Sequence, residues 1–270
     1  MDGIIRLVEL AVWSTALAGE RNSVSLLLVA KPESGKSDVL ERFRNTQNVI
    51  SVRDLTAWGL TSEILPRIYK ANQLQTILVP DFINVLSRNT ATVANFMQTI
   101  KSMMEEGIDA IHTYSMNFRY PRPLTAGLLT SITPSEFQTH RKAWTKSGIL
   151  SRFIVLSYEH SNSTQERVHT FLEDQVTVAR ENTIQLPLPA KSTHIEADGP
   201  LLRPMRKIVY QYREKLGLLE DGYGYRTQLH FQRLVAAHAL SSGRTIVEQI
   251  DVDSVTTLLS LFANLDYQKV

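Results

Sequence analysis

The sequence contains no cysteine. This absence excludes disulfide bonds, thiolate metal sites and cysteine nucleophiles, and it favours either a reducing compartment or a cysteine-poor source. The N-terminal apolar run, 4–17, carries Arg6 and Glu9 and is too short to span a bilayer. Because no basic segment precedes this run, we interpret it as a core-facing helix rather than a signal peptide. We therefore expect an intracellular, cytoplasmic protein that has no membrane partner.

A strong net charge is also missing. Lysine and arginine total 29, and aspartate and glutamate total 27, so the net charge is +2. The overall charge does not require a polyanionic partner, and any nucleic-acid surface would have to be local. Apolar residues make up 43% of the 270 residues, which is enough for one large domain or for one domain with an appendage.

The segment 26–40 has the pattern of a phosphate-binding loop between a buried strand and an amphipathic helix. Its centre reads A-K-P-E-S-G-K-S, which differs from G-x-x-x-x-G-K-[ST] in having Ala30 at the first glycine. Backbone N–H groups can wrap a polyphosphate, Lys36 can reach its terminal phosphates, and the Ser37 hydroxyl can hold Mg²⁺. The alternative is that Gly-Lys-Ser only caps a helix. The predicted phosphate-binding residues are Ala30, Lys31, Pro32, Glu33, Ser34, Gly35, Lys36, Ser37 and Asp38.

A second apolar run, 76–79, is followed by Asp81. After a phosphate loop, such a carboxylate is typical of a Mg²⁺ ligand that acts directly or through water. The alternative is an aspartate that caps the next helix. Phe82 stands where a glutamate would polarise the attacking water, so the sequence supports nucleotide binding better than hydrolysis. Four acidic residues are candidates for the missing role, and the sequence does not place them: Glu33, Asp54, Glu105 and Glu106.

Buried strands alternate with helices as far as residue 157, which predicts a doubly wound α/β fold with a parallel sheet. Such sheets bind ligands at the carboxyl ends of their strands. Ala30, Asp81 and Thr133 all lie at the ends of predicted strands, so we expect them on one edge of the sheet. From residue 190 onward the patterns are helical only. We predict an α/β nucleotide-binding domain over 1–189 and a small all-helical domain over 190–270.

Residues 108–114 and 116–120 alternate in the manner of a β-hairpin, with Arg119 and Arg122 at its far side. Arginine and aromatic residues interleaved on a hairpin suit a nucleic-acid backbone. They equally suit a solvated sheet edge. Contact with DNA through Arg119 and Arg122 is therefore one of two hypotheses for this segment.

Four stretches, in order, resemble the AAA+ ATPases, and in particular the ATPase core of the minichromosome maintenance helicases. M-M-E-E-G-I at 103–108 is similar to the entry to that family's pre-sensor hairpin, and L-T-S-I-T-P at 129–134 to its sensor-1 strand. L-S-R-F at 150–153 is similar to its arginine-finger segment. Residues 225–239 and 250–255 are similar to its helical lid. Ala30, Phe82 and Thr133 differ from the family's usual Gly, Glu and Asn.

The resemblance implies an AAA+ P-loop NTPase core that binds ATP and Mg²⁺, followed by a small C-terminal all-helical lid. Lys36 would neutralise the β- and γ-phosphates, and Ser37 and Asp81 would hold Mg²⁺. Thr133 would orient a water molecule or touch the γ-phosphate. Asp81 and Thr133 are therefore two of the four catalytic residues that the resemblance implies.

The other two catalytic residues that the resemblance implies are Arg152 and Arg226. The resemblance implies that Arg152 reaches into a neighbouring subunit and that Arg226 reports the nucleotide state to the lid. Without the resemblance, Arg152 is interpreted as a surface arginine before a strand, and Arg226 as a solvated residue in the first turn of a helix. An arginine that acts in a neighbour implies a homo-oligomer, either a ring with a hexamer as the expected form or a filament, because a head-to-tail contact repeats.

Three hypotheses about function follow. The first is an oligomeric ATPase that acts on DNA as a helicase-like motor, loader or remodeller, as in DNA replication. The second is a protein-remodelling AAA+ ATPase whose hairpin grips a protein partner. The third is a nucleotide-dependent scaffold that hydrolyses little or no ATP because Phe82 replaces the glutamate.

Overall fold

The structure is a computed structural model that describes residues 2–112, 117–174, 183–219 and 222–263. Its centre is a five-stranded sheet in which all neighbouring strands are parallel, in the order β2-β3-β6-β1-β7. This confirms the expected α/β class with a parallel sheet. The strands of this sheet are β1 (Leu26–Val29), β2 (Val49–Ser51), β3 (Gln75–Val79), β6 (Ala126–Ile132) and β7 (Ile154–Ser157).

A separate two-stranded hairpin, β4 (Ile108–His112) and β5 (Asn117–Leu124), is inserted between β3 and β6. The predicted hairpin is therefore present, although β5 continues four residues beyond the predicted end at Tyr120. Residues 113–116, which include the ends of the two predicted strands and the turn between them at residue 115, lie outside the described residues. The strands β1, β3, β6 and β7 are buried along their whole length, as expected for parallel strands covered by helices on both faces.

Helices connect and cover these strands. The helices of the α/β part are α1 (Asp2–Trp13), α2 (Lys36–Glu41), α3 (Ala57–Gly59), α4 (Leu65–Ala71), α5 (Ile83–Leu86), α6 (Thr90–Met103), α7 (Pro134–Lys146) and α8 (Asn162–Asp174). The helices that follow are α9 (Gly199–Leu202), α10 (Met205–Lys215), α11 (Tyr225–Ser241) and α12 (Gln249–Phe262). Short helical segments of other types are the 3₁₀ turns Ser14–Ala16 and Leu150–Arg152 and the π turn Leu60–Ile64.

The sequence patterns predict helices over 36–45, 201–216 and 251–265, and the observed helices differ from these in their bounds. The helix after the phosphate loop ends at Glu41 rather than at residue 45. The helix predicted over 201–216 is divided between α9 and α10 by Pro204, because proline has no N–H and clashes with the preceding turn. The last helix begins two residues earlier than predicted, and its predicted end at residue 265 lies outside the described residues.

The sequence offers Asp251, Asp253 and Ser254 as N-cap candidates for α12, and this prediction is wrong. The N-cap of α12 is Glu248, which forms a reciprocal capping box with Asp251 in the first turn. Asp251 is fully buried, accepts a 2.9 Å hydrogen bond from the Glu248 N–H, and also pairs with His238 of α11 and with Arg244. One buried carboxylate thus joins α11, α12 and the loop between them.

The C-terminal helices share the core of the α/β part. Helices α11 and α12 both pack against α1, and Gly3 lets α1 approach α12, because a Cβ at that position would collide with the Phe262 ring. Buried side chains of all three helices, such as Val8, Leu234 and Leu259, belong to one hydrophobic cluster. The division into domains at residue 190 remains a prediction.

Replacing Asp251 by asparagine is expected to lower the free energy of unfolding by about 2 kcal/mol, because it removes the charge that faces Arg244 and His238. Chemical denaturation measures this change. The matched control is Asp253→Asn: this side chain is exposed on the same helix and accepts a hydrogen bond from Gln249, so its effect should stay within about 0.5 kcal/mol. Equal losses in the two variants would contradict the buried role of Asp251.

Candidate nucleotide-binding site

The loop between β1 and α2 has two residues in the left-handed backbone region. Glu33 and Gly35 both have positive φ angles, +62° and +76°, so their N–H groups turn away from the direction of a continuous helix or strand. Gly35 is the N-cap of α2 and provides no side-chain hydrogen bond to the first turn. The first backbone N–H groups of α2 are therefore not satisfied by a capping side chain.

Lys36 lies at the mouth of this loop, and Asp81 is its charged neighbour. Burial lowers the pKa of the Lys36 ammonium, and the nearby Asp81 carboxylate opposes that shift. The Lys36 Nζ donates a 3.3 Å hydrogen bond to the Lys31 carbonyl. The Lys36 side chain therefore folds back over the loop that precedes α2.

Asp81 and Thr133 reach the same edge of the sheet as Ala30. In the observed register Val29 pairs with Ile132 and Val79 pairs with Thr130, so β6 lies between β1 and β3 and the three carboxyl ends adjoin. The predicted juxtaposition of these three residues is therefore present. Because β6 is the middle strand, Thr133 follows it between the phosphate loop and Asp81.

Both polar side chains at this edge also act as caps. Asp81 Oδ1 accepts a 3.1 Å hydrogen bond from the Ile83 N–H, as the alternative interpretation proposed. Thr133 is the N-cap of α7, where its hydroxyl accepts a 3.4 Å hydrogen bond from the Glu136 N–H. Capping occupies only one oxygen of Asp81, so the carboxylate can also face a cation.

Phe82 supplies no polar group to this edge. Its ring is fully buried and packs against Phe96 and Trp144, with ring centroids 6.1 and 6.0 Å apart. The carboxylate that would polarise an attacking water is thus absent at this position, and its place is filled by an aromatic cluster.

Two of the acidic residues considered as substitutes pair elsewhere. Asp54 pairs with Arg88, and Glu105 pairs with Arg152 and Arg226. Glu33 is an exposed residue of the phosphate loop itself, and Glu106 is exposed next to Glu105.

The segment after β7 holds the phosphate loop from its other side. The Tyr158 hydroxyl lies 3.1 Å from the Ser34 carbonyl oxygen and donates to it, and His160 Nε2 lies 3.0 Å from the same oxygen. The Ser34 hydroxyl is buried and has no hydrogen-bond partner among the described residues. The neighbouring Lys31 ammonium pairs with Glu159 at 3.0 Å. Sequence analysis missed the residues 158–160, although they directly follow a predicted strand and therefore belong to the ligand-binding edge.

A cavity of about 500 Å³ adjoins the loop at this side. It is lined by loop residues, by the 158–160 segment and by one face of α8, including Val168 and His169. Its mixed polar and apolar lining is typical of a small-molecule pocket.

Arg152 and Arg226 lie at the opposite edge of the sheet. Arg152 precedes the amino end of β7, whereas Ala30 follows the carboxyl end of the adjacent parallel strand β1. The Glu105 carboxylate pairs with both arginines. Burial lowers the pKa of the Arg152 guanidinium, and the Glu105 carboxylate opposes this. The four predicted catalytic residues are therefore not brought together in one chain: Asp81 and Thr133 are at one edge, and the two arginines at the other.

Helix α11 presents Arg226, His230 and Arg233 on one face toward the α/β part, where Arg233 pairs with Glu20. Complete burial, with further contributions from Arg233, Arg226 and Arg152, lowers the pKa of His230 to about 3. His230 is therefore neutral in the folded protein at any ordinary pH.

The predicted DNA-contacting arginines have different environments. Arg119 is exposed on β5 opposite Ala110 of β4. Arg122 is also exposed, and its Nη2 donates a 3.0 Å hydrogen bond to Asn72 Oδ1. DNA contact through these residues stays a prediction.

Comparison of the sequence with protein-family models and with curated proteins finds no match. Within the described ranges, no group of three or more His, Asp or Glu side chains is placed to hold a metal. A Mg²⁺ ion at Ser37 and Asp81 would depend on phosphate oxygens and water for its other ligands. None of the described helices is both long and apolar enough to cross a membrane.

Acidification is expected to destabilise the protein through His230. The folded-state pKa of about 3 lies below the ordinary value of 6.5, so between these pH values the unfolded state binds more protons and stability falls as the pH falls. Because of this residue, the free energy of unfolding is expected to be about 2 kcal/mol lower at pH 5 than at pH 8. Chemical denaturation at pH 8 and pH 5 should show a smaller loss of the free energy of unfolding in His230→Gln than in the wild type. The control His169→Gln, an exposed position, should keep the full loss.

Proposed function

We propose that this chain is an ATP-binding protein of the AAA+ type that assembles head to tail and hydrolyses ATP slowly or not at all. The observation that carries the proposal is the placement of Lys36 and Asp81. These residues are 45 positions apart in the chain, yet Asp81 is the charged neighbour of Lys36 at the mouth of a loop with two positive φ angles. A lysine and a carboxylate facing one phosphate loop are the elements that hold a magnesium–triphosphate complex.

The residues at this edge fit such a ligand. Lys36 would contact the β- and γ-phosphates, and Ser37 and Asp81 would hold Mg²⁺ together with phosphate oxygens. The Ser34 hydroxyl, which lacks a partner among the described residues, leaves a buried polar group for a ligand to satisfy. The 500 Å³ cavity beside the loop has the volume expected of a pocket for a small ligand such as a nucleoside.

Slow hydrolysis is supported by the position of Phe82. Catalysis by a positioned base usually contributes about 10²–10⁴-fold to a rate. At this point the chain has the buried Phe82 ring, packed against Phe96 and Trp144, in place of a carboxylate. The third hypothesis from the sequence, a nucleotide-dependent scaffold, therefore fits the geometry best.

Head-to-tail assembly is supported by the separation of the two edges. Arg152 and Arg226 cannot reach the phosphate loop of their own chain from the amino-terminal edge of the sheet. In a repeating head-to-tail contact, the two arginines would meet the nucleotide bound to the next subunit. Helices α9 to α12 would then cover that nucleotide as a lid. Such a repeating contact would form a ring or a filament.

The exposed Arg119 on the β4–β5 hairpin favours a second candidate function, an ATPase that acts on DNA. A remodelling activity on a protein partner would use the same hairpin. Turnover in the presence of DNA distinguishes these activities from the scaffold.

Lys36→Ala is expected to weaken the binding of Mg·ATP at least about tenfold, because it removes charge-assisted hydrogen bonds to the phosphates. Titration with a fluorescent ATP analogue measures the dissociation constant. Lys70→Ala, at an exposed position of α4, is the matched control and should bind like the wild type. If both variants bind equally, the proposed phosphate site is incorrect.

Steady-state ATP turnover is expected to stay below about 0.1 per second, because an ordinary enzyme turns over at about 10 per second and this chain lacks the water-polarising carboxylate. Phosphate release should be measured without DNA, with single-stranded DNA and with double-stranded DNA. Mass determination with and without nucleotide should show a larger assembly in its presence. Turnover that rises strongly with DNA would overturn the scaffold in favour of the DNA-dependent ATPase.

A further inference from the structure

Helix α7 has a basic stripe along one of its faces. The residues of the stripe are spaced i, i+3, i+4, i+7 and i+8, which places them on the same side of a helix. They are Gln138, Arg141, Lys142, Thr145 and Lys146. The neighbouring face of the helix buries Phe137 and Trp144 in the core, and it thereby leaves Lys142 and Lys146 exposed. Three positive charges thus lie within about two turns of one helix.

The basic stripe forms one wall of a cavity of about 480 Å³, and Leu216 and Gly217, which follow α10, form the other wall. Gly217 has a φ angle of +65°, and a Cβ at this position would lie 3.2 Å from Arg141 Nη2. Because this residue is glycine, the chain can turn close to the stripe. None of the described residues that line the cavity is acidic. The cavity therefore attracts anionic groups.

A second cavity, of about 400 Å³, continues the first one toward the start of α11. The two cavities adjoin at Thr145, and the second is also lined by Gly148, by Ser151 and by the first residues of α11. Its described lining residues likewise include no acidic side chain. Together the two cavities form one groove, the α7 groove, which runs along the basic stripe and ends at α11.

Two stacked tyrosines lie at the α11 end of the α7 groove. Tyr223 and Tyr225 line the second cavity and are 86% and 69% exposed. Their ring centroids are 5.6 Å apart, and the ring planes differ by only 19°. Aromatic side chains in a folded protein usually bury much of their area, so an exposed stacked pair indicates a contact surface. The outer face of such a pair can stack on another planar ring.

The backbone beneath the tyrosines is fixed by Arg213 of α10. This buried guanidinium donates hydrogen bonds from Nη2 to the carbonyl oxygens of Leu218 and Gly222. Gly224 has a φ angle of +81° and lies against the same side chain, because a Cβ there would come within 2.8 Å of Arg213 Cδ. The residues on either side of Gly224 are therefore held in place next to the groove.

We propose that the α7 groove binds single-stranded nucleic acid, with phosphates on the basic stripe and bases stacked on Tyr223 and Tyr225. A positive groove that follows the strand and aromatic side chains that stack its bases are the two elements of single-strand binding. A duplex keeps the faces of its bases inside the helix, so the exposed rings favour a single strand. An acidic peptide would use the charges but not the ring faces. Neither the phosphate loop nor the β4–β5 hairpin takes part in this site.

Fluorescence anisotropy with a labelled oligothymidine of about 16 nucleotides, at several salt concentrations and without ATP, tests the groove. Lys142→Gln combined with Lys146→Gln should weaken binding at least about tenfold. It should also lower the slope of log K against log salt by about 1.4, because each lost phosphate contact removes about 0.7 from the slope. Lys191→Gln combined with Lys207→Gln, two exposed lysines outside the groove lining, is the matched control and should change neither quantity. Equal losses in the two double variants overturn the site.

The tyrosines are tested separately from the charges. Tyr223→Ser combined with Tyr225→Ser should weaken binding at least about tenfold and leave the salt slope unchanged, because stacking releases no counterions. Tyr210→Ser, at a 56% exposed position of α10, is the control and should bind like the wild type. Circular dichroism should show the wild-type fold in these surface variants. If the tyrosine double variant binds like the wild type, the proposal fails, and polyglutamate bound as tightly as the oligonucleotide would then identify an acidic polypeptide as the partner.

Two further variants separate the α7 groove from the other candidate sites. Lys36→Ala should bind the oligonucleotide like the wild type, so that a failure of ATP binding and a failure of strand binding are distinct results. Arg119→Gln combined with Arg122→Gln should also retain strand binding. A loss confined to this hairpin variant would place the strand on the β4–β5 hairpin and overturn the site at α7.

Discussion

The parallel pairing of β1 with β6, and of β6 with β3, is the constraint on which the candidate site depends. It makes three strand ends adjoin, so that residues far apart in the chain meet at one edge. Because these strands are buried on both faces, a shift in their register would expose apolar side chains and move Asp81 away from Lys36. The stability of the sheet and the geometry of the site therefore have the same origin.

The same sheet has the candidate phosphate loop at one edge and Arg152 and Arg226 at the opposite edge. Its carboxyl edge carries the candidate phosphate loop, whose Ser34 carbonyl contacts Tyr158 and His160, and its amino edge carries the two arginines that pair with Glu105. This separation places the two arginines about one strand length from the candidate site in the same chain. In the proposed head-to-tail repeat, the two edges of neighbouring copies would come together.

Much of the fold could be predicted from local patterns. The apolar runs of β1, β3 and β7 are short, continuous and followed by polar residues, which distinguishes buried strands from helices. The capping of α12 could not be assigned correctly, because Glu248 and Asp251 are both acidic and only the path of the loop decides which residue is the N-cap. Asp81 illustrates an intermediate case, since it is both a cap and the neighbour of Lys36.

The sequence by itself determined the candidate phosphate-loop motif, the carboxylate after β3 and the aromatic residue that follows it, because each depends on residues close together in the chain. Only the tertiary structure decided that Glu105 pairs with Arg152 and Arg226. Their charges come from three separate segments, and the pairing of distant charged side chains depends on which surfaces the hydrophobic core brings into contact. The contacts of Tyr158 and His160 with the Ser34 carbonyl could not be predicted from the sequence for the same reason.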